Sequence, residues 1–261
     1  MTFTADDHRY MRRALELAEQ GLFTTDPNPR VGSVLVKNGD IVGEGFHLKA
    51  GERHAERHAL QVAGAKAQGA TCYVTLEPCS HSGRTGPCAD ALIEAGVSKV
   101  VAAMQDPHQR VAGKGFDKLR AAGIEVQVGL LEAQARMLNP GFIQRMETGR
   151  PFVRLKLAMS LDGRTAMANG ESKWITGPAA REDVQRLRAR SSAVVTGVGT
   201  VLADDPELTV RPAGWQVLAY PDTSVRQPLR VVLDRNLRTP VSAKLFGEAG
   251  NTLSPSNRRS R

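Results

Sequence analysis

Three observations predict an α/β protein in two parts. Strand-like runs alternate with helix-like ones after an opening hairpin, the alternation restarts beyond Arg150, and no internal repeat interrupts it. The first element is a helix. Asp6 or Asp7 is placed to cap it, it runs through HRYMRRALELAEQ and stops at Gly21, and Met11, Leu15, Ala18 and Leu22 fall on one face. Next, VGSVLVK and IVGEGFH flank Asn38-Gly39, a pair that accepts the positive φ angles of a tight hairpin turn. A helix follows from about His54 to Lys66. Then come the strand ATCYVTL, a Gly- and Ser-rich loop, a helix near Ala89 to Ala95, the strand SKVVAAM, a helix near Lys114 to Ala122 and the strand IEVQV. This order predicts a sandwich with helices on both faces of a mixed sheet.

A further helix, roughly Leu131 to Met146, leads into Thr148-Gly149-Arg150-Pro151, the expected boundary between a domain over 1–150 and a second over 151–261. In the second part Phe152 to Met159 reads as a strand, SLDGRT as a turn and Pro178 to Arg190 as a helix. Ala193 to Gly197 and Leu229 to Leu233 read as strands. The segment GNTLSPSNRRSR has no apolar period and reads as a disordered basic tail.

Composition narrows the functional classes. With 261 residues, 41% hydrophobic and 24% charged, the chain reads as globular, with core enough for two domains. No apolar run reaches membrane-spanning length, and MTFTADDHRYMRR lacks the apolar core of a signal peptide, so a cytoplasmic protein without a membrane partner is expected. The net charge of +8 is partly a tail effect, since Arg258, Arg259 and Arg261 sit at the end. Aromatics at 5% give no stacking platform for a nucleic acid, and none is expected as partner. A homo-oligomer is left open. The cysteines, Cys72, Cys79 and Cys88, are odd in number and sparse, which argues against a disulfide scaffold and for metal ligation.

A catalytic zinc site takes three nitrogen or sulfur ligands and leaves its fourth position to water, with a carboxylate near by. His54, Cys79 and Cys88 supply the ligands, and Glu56, two residues after His54, supplies the carboxylate. Bound zinc lowers the pKa of water from 15.7 to about 7, and Glu56 can carry the proton to a ring nitrogen and a departing amine. A metalloprotease-like pair of His54 and His58 is the rival arrangement. It needs Glu directly after the first His, where this chain has Ala55, and it gives Cys79 no role. Cys72, within a strand, reads as core, and His58 as packing against the sheet.

Eight residues, SHSGRTGP, separate Cys79 from Cys88, a longer loop than the Cys-x-x-Cys of nucleic-acid deaminases. TLEPCSHSGRTGPC, PNPRVGSVLVKNG and GERHAERHAL closely resemble the deaminase half of the bifunctional riboflavin-biosynthesis deaminase/reductase family, over essentially all of residues 5 to 150. LKLAMSLDGRTA, ESKWITG and GVGTVLADDPELTVR resemble its reductase half. The resemblance implies a cytidine-deaminase-like α/β/α sandwich followed by a dihydrofolate-reductase-like α/β domain, one zinc ion, and NADPH. It also implies a phosphorylated small-molecule substrate, diaminohydroxyphosphoribosylaminopyrimidine, deaminated on its ring and then reduced at its ribose. By the same resemblance Asn28 contacts the pyrimidine, and His81, Arg84 and Thr85 face its phosphate. Ala158, Trp174, Thr200 and Asp204 fall to the cofactor; Lys156, Ser172, Arg188, Leu208 and Arg211 fall to the reductase substrate. Relatives carry a further strand and a Gly-rich turn beyond the position of Arg261, so the expectation is a partial reductase domain with an incomplete NADPH site, and deamination without completed reduction.

Overall fold

The computed structural model describes residues 2–80, 86–109, 111–211, 225–247 and 250–254. The chain divides into two compact units, Met1–Val153 and Arg154–Arg261. In the first, α1 (Ala5–Glu19) leads to the hairpin β1 (Gly32–Lys37) and β2 (Asp40–Phe46). The order continues with α2 (Ala55–Ala63), β3 (Thr71–Val74), α3 (Cys88–Glu94), β4 (Lys99–Ala102), α4 (Lys114–Ala121) and β5 (Glu125–Val128). It closes with α5 (Glu132–Leu138) and α6 (Pro140–Thr148).

Thr4, one turn earlier than expected, caps α1. Its hydroxyl accepts from the Asp7 amide at 3.1 Å while the Asp7 carboxylate accepts from the Thr4 amide at 2.8 Å, a reciprocal capping box. Asp7 therefore belongs inside the first turn, where its charge also suits the helix dipole. The hairpin turn is as expected, with Asn38 and Gly39 both at positive φ. The expected helix from Leu131 to Met146 is instead two, broken at Asn139. Pro140 has no N–H to continue a ladder and suits the first position of a new helix. The Asn139 side chain meanwhile forms a two-way clasp with the backbone of Arg30, donating to its carbonyl and accepting from its amide, both at 2.8 Å.

The sheet runs β2-β1-β3-β4-β5, with β1 antiparallel to β2 and β3, and β3, β4 and β5 parallel. Both faces are covered, which is why its central strands read as nearly continuous apolar runs. Leu35, Cys72, Val100 and Val126 form one cross-strand row against α2, α3 and α4. Val34, Tyr73 and Val101 form the opposite row, against α1, α5 and α6. Each fully buried Leu or Val contributes about 1.5–3 kcal/mol. Gly43 and Gly45 of β2 allow α2 an unusually close approach: a β-carbon at Gly43 would lie 2.2 Å from the Ala59 carbonyl oxygen, and one at Gly45 would lie 2.5 Å from that of Ala55.

The second unit holds α7 (Pro178–Ala189), β6 (Ala193–Gly197), α8 (Val198–Asp204), β7 (Leu229–Leu233), α9 (Lys244–Gly247) and β8 (Thr252–Leu253). Among the described residues its strands are parallel, in the order β6-β7-β8. Two expectations are corrected here. Phe152 to Met159 forms no strand: it joins no sheet ladder among the described residues, and its side chains are mostly exposed. The segment read as a disordered tail instead contributes β8, since Thr252 and Leu253 pair with Arg230 and Val231; residues 255–261 lie outside the described residues. Among the described residues, Val198, Val201, Val232, Ala243 and Leu245 form a small core cluster in this unit. No helix among the described residues is long and apolar enough to cross a membrane.

Candidate metal and catalytic centre

The centre forms where three element ends meet. His54 is the N-cap of α2, with extended backbone, so its ring is not committed to a helix face. Glu56 lies in the first turn of the same helix and is buried. Cys79 lies in the irregular stretch after β3, and Cys88 is the first residue of α3. The His54 Nδ1 stands 3.5 Å from the Cys79 Sγ and 3.3 Å from the Cys88 Sγ, and all three candidate ligand atoms lie within 4.8 Å of one another. The Cys88 amide, at the start of α3, donates to the Cys79 sulfur at 3.3 Å, and the Ala89 amide ties down the Cys79 carbonyl at 3.1 Å.

These contacts decide the charges. A hydrogen bond from the Cys88 thiol, together with the His54 ring and the Cys88 amide, holds the Cys79 thiol below its ordinary range. Its bond to Cys79 and burial push Cys88 the other way. His54 is raised, first by its hydrogen bond with Cys79. Burial, then the neighbouring Cys79 charge, push the Glu56 carboxyl up to about 7. One imidazole and two sulfurs, partly buried and converging on one point, are the donor set that zinc takes up in tetrahedral sites.

The structure places the other expected residues unevenly. Asn28 is brought to the site: its Nδ2 donates to the His47 Nε2 at 3.0 Å, and the His47 ring lies edge-on to that of His54, centroids 5.3 Å apart. His81, Arg84 and Thr85 lie outside the described residues. His58 is not in the cluster; it lies beneath β2, where a β-carbon at Gly45 would sit 2.5 Å from its Cβ. Cys72 is fully buried, its sulfur 3.4 Å from the Ser33 Oγ, and burial pushes its thiol up to about 12, so it is an inert core residue. Sequence reasoning missed His47. It follows an exposed-looking strand end and carries no motif, yet it is buried and its Nδ1 donates to the Arg53 carbonyl at 3.0 Å, which leaves Nε2 as acceptor for Asn28. Burial, with His54 and His58 near by, keeps it below its ordinary pKa.

In the second unit Arg188, Leu208 and Arg211 are gathered round one turn. Arg188 donates to the Thr209 carbonyl at 3.1 Å, and the Arg211 amide donates to the Gln185 Oε1 at 3.0 Å. Thr200 and Asp204 are exposed on α8. Trp174 is also exposed, with the Arg181 guanidinium 4.5 Å above its ring. Lys156, Ala158 and Ser172 lie on segments without regular structure.

Comparison with known proteins agrees with this division. Residues 4–104 match the family "Cytidine and deoxycytidylate deaminase zinc-binding region", and residues 151–258 match "RibD C-terminal domain". The chain is 58% identical over 252 residues to the riboflavin biosynthesis protein RibD of Escherichia coli, covering 94% of this chain and 68% of that one. Its identity to RibD of Haemophilus influenzae is 60%, covering 94% and 67%. Among solved structures, Acinetobacter baumannii RibD superposes with a TM-score of 0.91 at 55% identity, covering 97% of this chain and 70% of that one. The diaminohydroxyphosphoribosylaminopyrimidine deaminase/5-amino-6-(5-phosphoribosylamino)uracil reductase of Thermotoga maritima does so with a TM-score of 0.87 at 42% identity, covering 98% and 71%.

Proposed function

We infer, from the premise that this chain belongs to the RibD family of riboflavin-biosynthesis deaminase/reductases, that His54, Cys79 and Cys88 hold its zinc and Glu56 carries its protons. The protein is a zinc-dependent deaminase with a second, NADPH-linked reductase domain whose fold is dihydrofolate-reductase-like. The substrate in this reading is the phosphorylated pyrimidine diaminohydroxyphosphoribosylaminopyrimidine. The observation that carries the site assignment is the mutual reach of one imidazole and two sulfurs beside a buried carboxyl.

Zinc, when bound, supplies Lewis acidity that brings the pKa of water to about 7. Glu56 would take one proton from the attacking water and deliver it to the ring nitrogen, then carry the second, from the hydroxyl left on the ring carbon, to the departing amine as the C–N bond breaks; its burial keeps these transfers from bulk solvent. Asn28, with one N–H committed to His47, keeps its Oδ1 for the pyrimidine. Arg84, with His81 and Thr85, takes the phosphate through charge-assisted hydrogen bonds. In the reductase half, Ala158, Trp174, Thr200 and Asp204 serve the cofactor, and Lys156, Ser172, Arg188, Leu208 and Arg211 the substrate. Three free cysteines fit a reducing compartment, and we place the protein in the cytoplasm.

Metal analysis and ammonia release test the assignment. Glu56→Gln keeps zinc and lowers kcat by about 10²–10⁴-fold, whereas Cys88→Ser loses the metal, because a hydroxyl is a far poorer zinc ligand than a thiolate. Wild-type turnover in zinc-loaded Glu56→Gln, or full zinc retention in Cys88→Ser, overturns it.

A further inference from the structure

Residues 75–80, which carry Cys79, have no regular secondary structure, so no repeating ladder fixes where the Cys79 sulfur points. Glu77 supplies what the ladder does not. Its side chain is 3% exposed, and its two oxygens accept three backbone N–H groups: Oε1 from Gly115 at 2.8 Å, and Oε2 from Gly113 at 2.9 Å and Asp106 at 3.1 Å. Gly113 is the N-cap of α4 and has no side chain with which to cap it. The Glu77 carboxylate therefore acts as that helix's cap from a distant part of the chain, satisfying amides the helix leaves unpaired and placing a negative charge at its positive end. Packing repeats the connection: a β-carbon at Gly115 would lie 2.0 Å from the Pro78 carbonyl oxygen, so the first turn of α4 rests directly on the peptide between Glu77 and Cys79.

We propose that Glu77 is a positioning residue for the metal, tying the Cys79 peptide to the N-terminus of α4 and so setting how long zinc stays bound. The proposal rests on the reading of Cys79 as a ligand. The main-chain bonds of the segment, Glu77 amide to Met104 carbonyl at 3.0 Å and Ala89 amide to Cys79 carbonyl at 3.1 Å, hold its two sides. Among the described residues, the carboxylate is what links it to α4 by hydrogen bonds, made at both of its oxygens. A carboxamide cannot substitute: it has one acceptor oxygen, and its NH₂ would face an N–H that also needs an acceptor.

The test measures zinc transfer from the loaded full chain to a chromogenic chelator, for the parent, Glu77→Gln and Met11→Ala. Met11 is fully buried against the opposite face of the sheet, so its truncation reports general loosening of the unit. Glu77→Gln is expected to release zinc about tenfold faster than the parent or more, and faster than Met11→Ala. Release from Glu77→Gln no faster than from Met11→Ala overturns the proposal. Should Glu77→Gln fail to fold, Gly115→Ala decides: its added methyl pushes on Pro78 from the helix side and is expected to speed release likewise, and an unchanged rate overturns the proposal. A parent that takes up no zinc instead overturns the ligand assignment, and the role of Glu77 falls with it.

Discussion

Leu35 and Leu155 are the same residue in runs that both read as strands, yet Leu35 is 0% exposed in the first unit and Leu155 is 81% exposed in the second. The contrast holds around them. Leu35 is paired on both sides and covered by α2, whereas Val153, Leu157 and Met159 share the exposure of Leu155, and β6 alternates between half-buried and exposed positions with none fully buried. A strand-like pattern states only that a segment could be covered; whether it is covered depends on partners the pattern does not name. The same difference separates the candidate residues. His54, Glu56 and Cys88 sit at the ends of helices that cover the first unit's sheet, whereas Trp174, Thr200 and Asp204 are exposed in the second.

The largest test of this contrast removes a fully covered side chain. Leu35→Ala should destabilise the first unit by about 2–5 kcal/mol in denaturant unfolding; a cost under about 1 kcal/mol would mean the sandwich is looser than its burial indicates. Next in size is Asn139→Ala. It strips both hydrogen bonds from the part-buried clasp on the Arg30 backbone, and about 2–3 kcal/mol should be lost. An effect indistinguishable from zero would show water filling the gap.

Asp7→Asn is smaller, about 1 kcal/mol at neutral pH, and depends on pH. Burial raises the Asp7 carboxyl, but hydrogen bonds from Tyr73 and Thr4 outweigh it and hold the group below the usual carboxylate range. A depressed folded pKa gives stability that is present above the unfolded value of about 3.9 and lost as pH falls through the folded one. The gap between parent and variant should therefore shrink as pH falls below about 4, and a gap constant from pH 7 to pH 3 would rule out this account. The smallest effect is at Leu155→Ala, within about 0.5 kcal/mol. A loss comparable to that at Leu35 would show that the exposed segment is covered in solution.

Much of the first unit was legible in its sequence for local reasons. Asn38-Gly39 could only turn, and the alternation of apolar runs with amphipathic ones set the order of strands and helices. The metal cluster was legible because His-x-Glu and Pro-Cys are chemical signatures. What escaped was non-local. The Asn139 clasp on Arg30 joins residues far apart in the chain, so the break between α5 and α6 could not be seen in the helical period alone. His47 has no signature of its own and gains meaning only from Asn28, His54 and Arg53 folding around it. At the start of the second unit, the pattern from Phe152 to Met159 named a strand that joins no sheet among the described residues.

The two glycines of β2 define the mutational tolerance of this centre. Neither Gly43 nor Gly45 touches a candidate ligand, yet each clears the space into which the backbone of α2 descends, and α2 begins at His54. In a library that randomises the hairpin, substitutions at these two positions should score with those at the ligands themselves, because any side chain lifts the helix and carries the imidazole away with it. An inventory of intolerant positions would thus include two that contribute no atom to the chemistry, and what selection would preserve there is an empty volume.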